Sequence, residues 1–140
     1  MINLKGQISI DFLIALTLVM ITALNLVSLG LSQTEDIKSF DISARLKVFA
    51  IDVRDTITKV YSVGEGFAVK KSWPFKLEPN ERIILSLKSP GIVNITLISG
   101  EKSYTILEKT QVPITENSTV VLTRDNKSFW IKFEGGIKIE

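Results

Sequence analysis

Three patterns in this sequence set chemically useful side chains at fixed spacing. The first is Lys5-Gly6-Gln7-Ile8-Ser9-Ile10-Asp11-Phe12, a basic residue and a glycine followed by a carboxylate at the mouth of an apolar run. Gly6 has no Cβ and leaves the backbone unusually free just ahead of Gln7. Asp11 lies four residues further on, about 6 Å along a helix axis. A carboxylate this close to an apolar helix is costly unless paired. Taken alone, Asp11 better suits a helix N-terminus at the headgroup level, where the macrodipole favours negative charge, and Ser9 could cap that terminus. The second pattern is Ser99-Gly-Glu-Lys102, which has Ser-x-x-Lys spacing. That nucleophile motif belongs at the start of a helix, whereas a hairpin turn is expected here. Asp52 and Asp55, three apart beside Arg54, read as a solvated ionic helix face rather than an acid/base pair. The third pattern is a set of sequons, Asn94-Ile-Thr96, Asn117-Ser-Thr119 and Asn126-Lys-Ser128, the acceptor sequence for N-linked sugar outside the cytoplasm. Asn126 sits in a predicted turn, Asn117 flanks a strand, and Asn94 lies within a strand and is usable only if it faces solvent.

The chain has neither cysteine nor histidine. This removes thiol nucleophiles, thiolate and imidazole metal sites, disulfides and histidine bases. No enzymatic activity, cofactor or metal is expected. The net charge of +2 from 17 basic and 15 acidic residues is too small and too evenly spread for a nucleic-acid footprint.

The first pattern resembles the class III signal peptide of archaeal type IV pilins, Gln-x-Ser-x-Glu-x-x-x-Leu after a basic residue and a glycine. Gln7 and Ser9 fit it. Asp11 stands in place of the usual Glu, and Ala15 in place of Leu, with Leu16 one position later. The resemblance implies that a membrane-embedded prepilin peptidase cuts between Gly6 and Gln7, leaving a mature chain of 134 residues (140 minus 6). It further implies that Asp11, with Phe12 beside it, sets register in assembly by neutralising the amino terminus of a neighbouring copy.

These residues need elements to position them. Phe12 to Leu31 is 20 positions without a charge, broken only by Thr17, Thr22, Asn25, Ser28 and Gly30. As a helix it would span roughly 30 Å, one bilayer core, and it is apolar all round. Lys5 and the amino terminus flank one end, Glu35 and Asp36 the other. The positive-inside rule therefore places residues 32–140 outside the cytoplasm. A cleaved secretory signal would have a shorter apolar region and a small-x-small site, which Leu29-Gly30-Leu31-Ser32 does not offer.

Residues 33–62 are amphipathic, with Ile37, Phe40, Ala44, Val48 and Ile51 recurring at helical steps and Ile57, Val60 and Tyr61 extending the row. One long helix is expected from about Ile8 to about Ser62, bent near Gly30 and ended by Gly64-Glu-Gly66. Strand-like runs follow at 82–87, 92–98, 104–107, 119–123 and 128–133, with shorter ones within 66–75 and at 137–139. The expected class is α+β: a cleaved leader (1–6), a long helix (7–63, with 12–31 as the membrane or filament-core segment and 33–62 amphipathic) and an antiparallel β-rich outer domain (64–140). Its single sheet would pack on the stripe of residues 37–61, with Trp73 and Trp130 as core or rim anchors.

These features and the resemblance together lead to the expectation of a structural subunit of a cell-surface filament. It would be inserted in the membrane, trimmed, and assembled with copies of itself or related pilins on an assembly platform, supporting surface attachment. The alternative is a minor pilin-like initiator, tip or ligand-binding protein that stays anchored in the membrane.

Overall fold

The structure, a computed structural model, describes residues 4–140, without the side chains of residues 4–8 and 35. Its elements are α1 (Leu4–Val63), β1 (Ala68–Ser72), β2 (Glu81–Lys88), β3 (Ile92–Ser99), β4 (Lys102–Lys109), β5 (Ser118–Leu122), β6 (Ser128–Phe133) and β7 (Ile137–Ile139). The class is α+β, one long apolar-to-amphipathic helix followed by antiparallel strands, consistent with a pilin-like fold. The chain divides into two compact units, one ending at Phe40 and the other running from Asp41 to Glu140. The second half of α1 thus belongs to the same unit as the strands.

No Pro interrupts the helix, and Gly30 is absorbed into it without a break. The described helix runs from Leu4, so Ser9 lies inside it. It ends where expected. The Gly64 amide still donates to the Val60 carbonyl at 3.3 Å, and Gly64 then takes φ +113°, a conformation closed to residues with a Cβ.

The expected single sheet is two. β4-β3-β2-β5 form a four-stranded antiparallel sheet and β1-β6-β7 a three-stranded one. In the larger sheet, Ile83, Leu85 and Leu87 of β2 and Val93, Ile95 and Leu97 of β3 alternate inward. In the smaller, Phe129 and Ile131 of β6 and Ile137 and Ile139 of β7 do so. All join one core with α1. Period-2 alternation says which face of a strand is buried but not which strand lies beside it. β1 and β6 are nearly sixty residues apart, and that pairing has no local signature.

The helix stripe also differs from expectation. The buried row is Leu46, Phe49, Ala50, Val53, Ile57 and Val60, spaced three and four apart. Ile37, Phe40, Ala44 and Val48 are exposed and Ile51 is half-buried. Of the expected row only Ile57 and Val60 are buried, and Tyr61 is exposed. The helix carries two apolar rows, and at 100° per residue Val48 stands about 200° from Leu46, on the opposite side. Phe49 anchors the buried row, meeting Trp73 edge-to-face at 4.9 Å and Phe129 at 6.2 Å. Trp73 is a core residue at 5% exposure, and Trp130, at 41%, lies on the rim.

Candidate assembly surface

The site residues belong to two settings, the apolar segment of α1 and the β-rich unit. In the first, Gly6 and Gln7 lie in the helical backbone, and the Gln7 side chain falls outside the described residues. Asp11 and Phe12 are both exposed, Phe12 at 66%. Every side chain from Ser9 to Thr34 is exposed. By length and composition this helix can cross a membrane.

Hydroxyl groups within this segment are turned back on the helix. Thr17 donates to the Leu13 carbonyl and Thr22 to the Leu18 carbonyl, each at 2.8 Å, and Thr34 donates to Gly30 at 2.9 Å. Such back-bonding lets a hydroxyl sit in an apolar environment without an outside partner. Asn25 and Ser28, three apart on one side of the helix, have no side-chain hydrogen bond among the described residues. Asn25 therefore needs a partner from outside its own helix wherever water is absent.

In the β-rich unit, the residues considered for catalysis are engaged in structural contacts. The Ser99 hydroxyl donates to Glu81 Oε1 at 3.0 Å, and Ser99 and Lys102 flank the β3–β4 hairpin turn rather than opening a helix. Asp52 pairs with Lys71 at 2.6 Å and Asp55 with Arg54 at 2.9 Å. A cleft of about 280 Å³ between α1 and β4 is lined by Arg54, Thr58, Lys109 and Thr110. Its guanidinium is already held by Asp55 and Glu108.

One polar cluster was not expected from the sequence. Glu108 on β4 is buried, and its carboxylate takes Lys47 on one oxygen and Arg54 on the other, the latter at 3.5 Å. Two points on α1, about two turns apart, are thereby tied to the edge strand of the larger sheet. A signal was present: Tyr104, Ile106 and Glu108 share the inward parity of β4. In the smaller sheet, Lys132 bonds Glu140, which raises the pKa of the lysine ammonium above its usual value.

The chain matches no protein-family model, no curated protein and no solved structure.

The three sequons occupy different positions. Asn94 is half-buried in β3, Asn117 is exposed just before β5, and Asn126 is exposed in the link between β5 and β6.

Proposed function

We propose that this chain is a structural subunit of a type IV pilus-like cell-surface filament. A prepilin peptidase trims it between Gly6 and Gln7, and it assembles through the apolar half of α1. The observation that carries this is the helical segment from Ser9 to Thr34, exposed at every described residue and free of charge from Phe12 to Leu31. An all-round apolar helix needs either lipid or other helices around it. The motif ahead of it, Lys5-Gly6-Gln7 with Ser9 and Asp11, favours a helix that is first held in lipid and then transferred to neighbouring copies.

In this scheme the precursor sits in the membrane with its N-terminus cytoplasmic. Trimming exposes the Gln7 ammonium, and an assembly platform moves the chain into a helical filament. A heterologous, non-closing contact between copies generates such a filament. The Asp11 carboxylate of one copy neutralises the Gln7 ammonium of the next, and a register error would leave both charges unpaired beside apolar helices. The β-rich unit forms the outer surface and supports attachment.

The test separates trimming from assembly. Gly6→Val should leave the chain at full length and abolish filaments, because a branched side chain blocks the extended backbone at the cut. Asp11→Ala should give a chain starting at Gln7 but few or no filaments. Intact mass and N-terminal sequencing of chain from its native envelope, with electron microscopy of the cell surface, read both. Normal filaments from Asp11→Ala would remove the register role, and a wild-type chain starting at Met1 would remove the filament assignment. The protein composition of purified filaments separates a major subunit from a minor pilin-like protein.

A further inference from the structure

We infer that Asn126 is a site of N-linked glycosylation and that the fold closes Asn94 and Asn117 to the same reaction. This rests on the β-rich unit lying outside the cytoplasm, as in the proposed function. The acceptor pattern requires a hydroxyl residue two positions after the asparagine. A transferase must therefore reach two groups on the folded chain, the side-chain amide that takes the sugar and the hydroxyl that it reads.

At Asn94 the side chain is half-buried and the hydroxyl is already bonded. The residue lies in β3, which is paired on both edges with β4 and β2. Its Oδ1 is sealed from solvent, and the Thr96 hydroxyl shares a hydrogen bond with Thr105 at 3.0 Å. At Asn117 the position is exposed but both groups are bound. Asn117 Oδ1 accepts the Ser89 amide at 2.9 Å, and Thr119 Oγ1 donates to Ser86 Oγ at 3.1 Å. Engaging this sequon would take the Thr119 hydroxyl from Ser86, which is itself buried.

Asn126 differs on both counts. Its main chain holds the turn: the Asn126 amide donates to Thr123 Oγ1 at 3.3 Å, and the Asn126 carbonyl accepts the Thr123 amide at 2.8 Å. The side-chain amide makes no hydrogen bond among the described residues, and neither does the Ser128 hydroxyl. The turn thus presents an exposed amide close to Ser128, half-buried at the start of β6, and no side-chain hydrogen bond of either residue has to break for it to react. Arg124 and Asp125 beside it are exposed as well.

The co-substrate class is an oligosaccharide carried on a polyprenyl phosphate or pyrophosphate. The bond from the anomeric carbon to the phosphate oxygen breaks, and its electron pair leaves with the lipid phosphate. A bond forms from Asn126 Nδ2 to the anomeric carbon, and the amide gives up one proton to a base on the transferase.

The experiment uses full-length chain recovered from its native envelope. Cleavage after leucine and aromatic residues separates the three sequons into peptides 88–97, 108–122 and 123–129. Sugar mass is expected on peptide 123–129 alone. It should be lost completely in Asn126→Gln and in Ser128→Ala, and be unchanged in Asn117→Gln. A bare peptide 123–129, or sugar on either of the other two, overturns the assignment. The same sample reports the amino terminus. A chain starting at Gln7 with a bare Asn126 overturns the glycosylation and leaves the filament subunit standing. A chain starting at Met1 with sugar on Asn126 does the reverse.

Discussion

Glu108 joins a carboxylate to two cations on a different element, and the three members are unequally buried. Its side chain is 9% exposed, against 53% for Lys47 and 34% for Arg54. Removing the carboxylate charge therefore releases two cations that can both turn to water, which limits the loss. Glu108→Gln is expected to cost about 1–2 kcal/mol, near the value of one charged hydrogen bond, and Lys47→Ala less than about 1 kcal/mol. Denaturant titration of the full chain in detergent, followed by tryptophan fluorescence, would show this order; equal losses would contradict it. The cluster was half-legible in the sequence. The parity of β4 points Glu108 inward, but its partners lie more than fifty residues earlier, on a helix whose inward side was not known. The sequons show the same limit: their spacing is local and readable, whereas what binds Asn117 and seals Asn94 comes from strand pairing.

At the scale of elements, helix and strands were readable because their periods are local. The expected helix, from about Ile8 to about Ser62, lies inside Leu4–Val63, and the runs at 128–133 and 137–139 coincide with β6 and β7. The phase of the helix was not readable. Two apolar rows on opposite sides of one helix satisfy the same periodicity, and only packing decides between them. Ile57, fully buried, and Val48, 65% exposed, separate the rows by experiment. Ile57→Ala should cost about 2–5 kcal/mol and Val48→Ala less than about 0.5 kcal/mol in the same titration. The division into two sheets was hidden for a related reason: a strand's alternation fixes its face, and the choice of neighbour is settled by distant chain. Gly91 marks a tight spot in the turn between β2 and β3. A Cβ there would meet the Thr110 carbonyl oxygen at 2.7 Å, so this glycine permits a close approach of backbones.

At the scale of the whole molecule, the strands and residues 41–63 of α1 form one compact unit with its own core, while the segment before it exposes its apolar side chains. A fragment of residues 41–140 is therefore expected to be soluble, with a cooperative melt in plain buffer. The full chain should need detergent. Sedimentation and circular dichroism check both, and a fragment that aggregates or lacks a melt would contradict the division. The back-bonded threonines have a consequence for the proposed assembly cycle. Thr17 and Thr22 keep the same hydrogen bonds whether hydrocarbon tails or leucine side chains surround them, and lipid tails are as apolar as leucine. For these residues the two surroundings are interchangeable, so they give the proposed move from bilayer to filament no direction. In the proposed cycle direction would come from groups that tell the surroundings apart: the proposed Asp11–Gln7 charge pair, and Asn25, whose amide needs a partner wherever water is absent.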